Sequence, residues 1–287
     1  MHVLAFVNQK GGCGKTTTAV HLAAALAREG RRVLLVDLDP QAHATLSLGV
    51  HVGDEPSLIE VLGDELPIDA ARVRAPGDFD LLPATLELAE FEEVSQRMIY
   101  PERVLAAALE EVATEYDYVL LDCPPRADGV LTANALRAAD TALLVVECGA
   151  FALQGALMAK DILAEIAESS GHAPRVRVVA TLFDRRTRFS RELLIGMQSR
   201  LGVHMYDSAI RTSVRLREAA AYGVPVQELD PRCFSVSDFE HLAREVIADV
   251  ESDDRVVQPI RARDRTGLPR ADNPSAVSSK GGPSWTL

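Results

Sequence analysis

Apolar positions fall into short runs, separated by longer stretches in which they recur with a helical period. Residues 3–8 form an apolar run of strand length, and the loop 10–14 that follows is rich in glycine. Over 16–29, Ala19, Leu22, Ala23, Leu26 and Ala27 return at three- and four-residue spacing, which puts them on one helix face. Gly30 stands where a helix end favours a left-handed residue. Residues 33–36 are wholly apolar and lead to Asp37. Strand, helix and strand in this order make a βαβ unit, and strands without polar alternation are buried on both faces. The pattern therefore predicts an α/β fold, a mostly parallel twisted sheet flanked by helices on both faces.

The alternation continues along the chain. Strands are predicted at 79–82, at 118–121 ending on Asp122, at 141–146 ending on Glu147, at 176–182 and, short, at 203–206. Helices are predicted at 101–114, 153–168, 190–200 and 239–250, and no internal repeat is visible. Beyond 251 the apolar periodicity fades while four prolines and many small polar residues appear. This divides the chain into a folded domain, 1–251, and a disordered tail, 252–287.

Composition narrows the class. Of 287 residues 47% are apolar but only 5% aromatic, so the core rests on Leu, Val and Ala. The formal net charge of −12 argues against binding nucleic acid through bulk charge and leaves only a local basic patch for that purpose. Cys13, Cys123, Cys148 and Cys233 form no CxxC pair and suggest neither a zinc site nor a disulfide framework. No leader pattern precedes the first strand, and no apolar run approaches the roughly 20 residues that span a bilayer. The expectation is a reduced, cytoplasmic, soluble protein with no membrane partner.

The chemistry concentrates in Lys10-Gly11-Gly12-Cys13-Gly14-Lys15-Thr16-Thr17. The segment follows a strand and opens a helix, the context of a phosphate-binding loop. Glycines let backbone N–H groups turn inward around phosphate oxygens, and the helix N-terminus adds partial positive charge. Lys15 is placed to reach the β- and γ-phosphates of ATP, and the Thr16 hydroxyl to ligate Mg²⁺. Only four of the 30 basic residues are lysine, and two of them, Lys10 and Lys15, stand in this loop. A compact ammonium suits it better than arginine's planar fork. Cys13 and Cys123 read as small fillers, although a helix N-terminus can lower a thiol pKa and make the loop thiol-sensitive through Cys13.

The loop departs from the general GxxxxGK[ST] pattern and matches the deviant form KGGxGKTT. With it come Leu35-Val36-Asp37-Leu38-Asp39-Pro40-Gln41, the strand 118–125 with its Asp122-Cys123-Pro124-Pro125 end, Asp184-Arg185-Arg186-Thr187, and Val214-Arg215-Leu216-Arg217-Glu218-Ala219. In this set and order, over about residues 1–250, the chain resembles the ParA/MinD family of P-loop ATPases, and within it the ParA (Soj) partition ATPases. The resemblance implies an ATP-dependent homodimer in which Lys10 reaches the phosphates bound by the other subunit. It implies that Asp39 positions the attacking water near the metal, and that Asp122 holds Mg²⁺ through a water. Both carboxylates fall at carboxyl ends of predicted parallel strands, where open α/β sheets bind their ligands. Asp37 is equally readable as a structural strand-end carboxylate or as part of the metal shell. There are departures from the family pattern. Ala42-His43 replaces Gly-Asn, with His43 read as a surface or switch-loop residue. Ala152-Leu153-Gln154-Gly155 replaces Ala-Leu-Glu-Gly. Ala209-Ile210-Arg211-Thr212 lacks the family's proline, and Arg211 is the residue carried over to the adenine site.

Between Asp184 and Arg217 eight arginines face three carboxylates, a local balance of +5. The plain reading is a solvated helical face. The family reading is a patch for duplex DNA of any sequence, with Arg186, Arg188, Arg215 and Arg217 as contacts. The function implied is a nucleoid-associated, ParB-stimulated ATPase for chromosome or plasmid partition, or for positioning another cargo. The alternatives are weaker. A MinD-like membrane switch needs an amphipathic C-terminal helix, which 261–287 does not offer. A cluster-bearing reductase needs bridging cysteines, but Cys123 precedes Pro124-Pro125. A tyrosine kinase of the superfamily needs a tyrosine-rich tail, and no tyrosine follows Tyr222.

Overall fold

The computed structural model describes residues 1–63, 65–126, 129–150, 154, 155, 157 and 172–252. Its strands are β1 (His2–Val7), β2 (Val33–Asp37), β3 (Val73–Ala75), β4 (Phe79–Leu82), β5 (Tyr118–Asp122), β6 (Thr141–Glu147), β7 (Arg175–Phe183) and β8 (Met205–Arg211). They form one sheet in the order β3-β4-β2-β5-β1-β6-β7-β8. Every pairing is parallel except the edge pair β3–β4. The helices are α1 (Lys15–Arg28), α2 (His43–Ser47), α3 (Leu58–Leu62), α4 (Ile68–Ala71), α5 (Phe91–Ser95), α6 (Val104–Glu111), α7 (Val130–Ala138), α8 (Arg188–Leu201), α9 (Val214–Tyr222), α10 (Val226–Leu229) and α11 (Phe234–Glu251).

The central strands are apolar at every position because both sheet faces are covered. Val3, Ala5 and Val7 of β1 join one core cluster, together with Leu105, Leu109 and Leu131 from α6 and α7. Leu4 and Phe6 join the other, with Leu22, Leu26, Phe239 and Leu242 from α1 and α11. Residue-by-residue alternation of this kind is the period-two geometry of a strand, here with apolar partners on both sides.

The structure departs from the periodicity in several places. The helix expected over 101–114 opens with a 3₁₀ turn, Pro101–Arg103, and its α-helical part stops at Glu111. The short strand expected at 203–206 is displaced, since Gly202–His204 is a 3₁₀ turn and β8 runs on to Arg211. The edge strand β3 and the helices α7 and α9 had no periodic signal of their own. The helix expected over 153–168 lies outside the described residues apart from 154, 155 and 157, and so do the tail beyond 252 and Ala152-Leu153. No helix among the described residues is long and apolar enough to cross a membrane.

Candidate nucleotide site

β1 ends at Val7 and α1 starts at Lys15, so residues 8–14 form the connecting loop at the carboxyl edge of the sheet. Gly12 and Gly14 both have φ in the left-handed region, at 75° and 94°. A side chain there would be strained, which is the local reason for glycine. The loop is pinned from outside. The Asn8 side-chain amide donates to the Val145 carbonyl at 2.7 Å, and Asn8 Oδ1 accepts from Lys10 N at 2.9 Å. The Thr181 hydroxyl, reaching across from β7, donates to the Cys13 carbonyl at 2.6 Å. Lys15 is buried at the mouth of α1, whereas Lys10 is exposed and pairs within the chain with Glu147 at the end of β6.

The Cys13 thiol does not behave as a helix N-terminus alone would make it behave. Burial raises its pKa, and the opposing effects of Lys15 and the backbone donors are smaller. Burial thus favours the filler reading of Cys13, because desolvation of the thiolate opposes the helix end. Cys123 and Cys148 are pushed up by burial in the same way, Cys148 to about 11.

Three carboxylates surround the loop. Asp37 and Asp122 end neighbouring strands in register, so their side chains leave the same face of the sheet side by side. Both are fully buried. Asp37 is held by local donors, accepting from the Thr45 N–H and hydroxyl, each at 2.8 Å, and from Asp39 N at 3.2 Å. Burial is the main reason that its pKa rises to about 6, against the pull of those donors, with the nearby Asp39 adding to the rise. Asp122 is raised well above the carboxylate range, first by burial and then by Asp37, with Thr16 and Lys15 opposing. Neither of its oxygens has a hydrogen-bond partner among the described residues. A buried carboxylate without a partner costs free energy unless a cation compensates it. Asp122, beside Thr16, thus fits a Mg²⁺ ion that keeps most of its water and borrows substrate oxygens. Asp39 is also buried, its Oδ1 accepts from Gln41 N at 2.9 Å, and it lines the same cavity as the loop.

Loop and carboxylates open into a cavity of ≈ 670 Å³. Its polar end is lined by Gly11, Gly12, Gly14, Lys15, Thr16, Thr17, Asp39 and Gln41, and its other end by Val20, His21, Leu46, Leu216, Ala220 and Ala221. That size and polarity suit a nucleoside triphosphate. His43 lines the same cavity at the start of α2 and is exposed, in keeping with a switch-loop residue. Of the eleven residues assigned to catalysis, nucleotide or metal, seven line it directly. Cys13 lies buried beneath the loop, Lys10 and Asp122 flank it, and Arg211 is elsewhere.

Arg211 ends β8 and forks onto the buried Asp238 of α11, with Nε at 2.9 and 3.0 Å from its two oxygens and the guanidinium 4.5 Å from the centre of the Phe234 ring. Arg211 thus braces α11 against the sheet and is not among the residues that line the cavity. The apolar wall contributed by α9 had no signal beyond its match to the family segment.

The four arginines assigned to DNA are all exposed, but three already have carboxylate partners. Arg186 pairs with Asp184 at 2.9 Å, Arg188 with Glu192 at 2.7 Å, and Arg215 with Glu218 at 2.7 Å and Asp230 at 3.3 Å. Glu218 and Asp230 lie just beyond the 184–217 window, so the local excess of positive charge is smaller in space than along the chain. Arg217 is exposed and has no ion-pair partner among the described residues.

Comparison with known proteins agrees with this geometry. A family model described as an AAA domain matches residues 1–172. The sporulation initiation inhibitor protein Soj of Bacillus subtilis (strain 168) is 37% identical over 249 residues, covering 86% of this chain and 98% of that protein. The chromosome partitioning protein ParA of Caulobacter vibrioides (strain NA1000 / CB15N) is 38% identical over 255 residues, covering 86% and 94%. Among solved structures, cobyrinic acid a,c-diamide synthase from Mycobacterium smegmatis with bound ADP and magnesium matches with a TM-score of 0.75 at 30% identity, covering 91% of this chain and 98% of that one.

Proposed function

This chain belongs to the ParA/MinD family of P-loop ATPases, and from that premise we propose that it is an ATP-hydrolysing switch for DNA partition. In this reading ATP and Mg²⁺ are its cofactors, and ATP brings two copies together. The dimer binds duplex DNA of any sequence, and a ParB-like partner stimulates hydrolysis and releases it, which places the protein in the cytoplasm on the nucleoid. The same cycle serves a chromosome, a plasmid or another positioned cargo.

The observation that carries the proposal is the double role of α9. Leu216 and Ala220 form a wall of the nucleotide cavity, while Arg215 and Arg217 of the same helix face solvent. One element thus lines the cavity with apolar side chains and carries exposed cations on its flanks, a link between the nucleotide site and DNA binding.

The residues divide the chemistry. Inward-facing N–H groups of residues 11–14 and the α1 N-terminus bind the phosphates, and buried Lys15 neutralises their charge. Thr16 and Asp122 would hold Mg²⁺, which would supply charge stabilisation to the phosphates. Asp39, held by Gln41 N, is a base and orienting group for the attacking water. Lys10 leaves Glu147 to reach the phosphates of the other subunit, where it completes the charge clamp of the transition state.

Light scattering with and without ATP tests this assignment through Lys10→Ala. The variant is expected to bind nucleotide and to stay monomeric with ATP, under conditions in which the wild type dimerises. An ATP-induced dimer of wild-type mass in the variant contradicts the role given to Lys10.

A further inference from the structure

Two helix ends far apart in sequence meet backbone to backbone beside the cavity. α2 leads into Gly49 and α9 into Gly223, and both glycines are left-handed, with φ at 68° and 70°. A methyl group on Gly223 would lie 2.8 Å from Gly49 Cα and 3.0 Å from its nitrogen, and one on Gly49 would lie 3.2 Å from the Gly223 carbonyl oxygen. A left-handed glycine after a helix is common and needs no such contact. Gly30, after α1, shows the difference, with φ at 77° and nothing within 4 Å of where a methyl would sit. Gly30 answers a conformational requirement alone. Gly49 and Gly223 answer that requirement and, in addition, the close approach of two chains.

What stands on either side gives the contact its meaning. α2 follows the Asp39–Gln41 turn directly, and Thr45 within it binds Asp37. α9 lines the cavity with Leu216 and carries Arg215 and Arg217 outside. The short helix that follows it, α10, is anchored to α1, because Val226 N donates to His21 Nδ1 at 3.2 Å and the Gln227 side-chain amide to the His21 carbonyl at 2.7 Å. A displacement of the Asp39 turn would therefore press on a helix whose C-terminal end is tethered close by through α10. Packed interfaces of this kind shift between discrete arrangements and do not deform freely.

We infer that Gly223 is a positioning residue. Its backbone contact with Gly49 holds the Asp39 turn at the phosphates and makes the exposed Arg215 and Arg217 of α9 respond to the bound nucleotide. The DNA half of this inference rests on the ATP-dependent DNA binding proposed above, whereas the catalytic half does not.

The test compares Gly223→Ala with Gly30→Ala, which introduces left-handed strain without a clash. Steady-state ATP turnover and the ratio of DNA affinities with and without ATP are measured for both. Gly30→Ala should melt at a lower temperature yet keep kcat, KM and the DNA ratio within about twofold of wild type. Gly223→Ala should keep KM within about threefold and lose about tenfold or more in kcat, because misplacing a reacting group by about 1 Å is enough for losses of that order. Its DNA ratio should fall toward one. A kcat and DNA ratio for Gly223→Ala within the range of Gly30→Ala would overturn the inference. If Gly223→Ala fails to fold, Gly49→Ala, whose nearest approach is the looser 3.2 Å, is judged on the same two quantities. A wild type that shows no ATP-dependent DNA binding removes the DNA reading, and the split between kcat and KM then decides the role of Gly223 by itself.

Discussion

Asp37 and Asp122 are two fully buried carboxylates side by side, and only Asp37 has hydrogen-bond donors. A carboxyl whose pKa is raised on folding binds its proton more tightly in the folded state. The stability it contributes is present at low pH and is lost as pH climbs from the ordinary carboxylate range through the folded value, about 6 for Asp37 and also raised for Asp122. Without nucleotide, the pair therefore favours the folded protein less at pH 7 than at pH 5. Asp122→Asn, which removes one charge without changing shape, should raise the melting temperature of the nucleotide-free protein at pH 7, by roughly 1–3 kcal/mol in stability. The gain should narrow toward pH 5, and Mg²⁺-ATP should stabilise the variant far less than the wild type. His21 acts in the opposite sense. Its pKa is lowered to about 4 by burial, so it costs stability as pH falls from about 6.5 to 4, but it does so equally in both proteins. Thermal melts across that pH range decide the matter, and a variant that melts lower than wild type at pH 7 without nucleotide refutes it. Asp39→Ala should instead bind ATP normally and lose about 10²–10⁴ in turnover, since a group that only activates water acts in the transition state. It should remain bound to DNA in a gel-shift assay with ATP, and unchanged turnover would move the role to Asp37. The loop, Asp39 and Asp122 were legible in the sequence because phosphate and metal chemistry admits few residue types at fixed spacing. The unfavourable pairing of Asp37 with Asp122 was not, because it arises from strand register.

At the scale of elements, the central strands and α1 were legible because burial on both sheet faces or on one helix face leaves a simple period. β3 was not, because three residues are too few to show a period, and α9 was not, because its buried positions are only Leu216 and Ala219. β8 was misplaced for a physical reason as well. Its burial does not alternate, with Met205, Tyr206 and Ile210 buried and residues 207–209 between them more exposed, at an edge of the sheet where its pairing to β7 is irregular. That extension is what carries Arg211 to Asp238. Arg211→Ala should therefore cost stability, by about 2 kcal/mol or more, because it leaves the Asp238 carboxylate buried without its cation. ATP affinity should stay within about threefold of wild type. Denaturant unfolding and nucleotide titration read the two effects separately. A large loss of ATP affinity with unchanged stability would return Arg211 to the adenine site.

Across the whole molecule, charge is the quantity that matters. A formal −12 opposes any approach to DNA, and the positive excess along 184–217 is partly consumed by Asp184, Glu192, Glu218 and Asp230. A single copy should therefore bind DNA weakly at physiological salt, while two copies aligned by ATP double the arginines that face the duplex. The measurement that bears most directly on the proposed switch is a gel shift on unrelated duplexes at several salt concentrations, with ATP and without, the same samples being sized in parallel. Binding is predicted to appear only with ATP and together with the dimer, to be alike on all sequences, and to follow a slope of log affinity against log salt of about −4 to −5, as expected for two or three arginines per subunit. Arg217→Glu, at a residue with no ion-pair partner among the described residues, should weaken it more than Arg188→Glu. Equal affinity without ATP, or charge reversals that leave affinity untouched, would contradict the account.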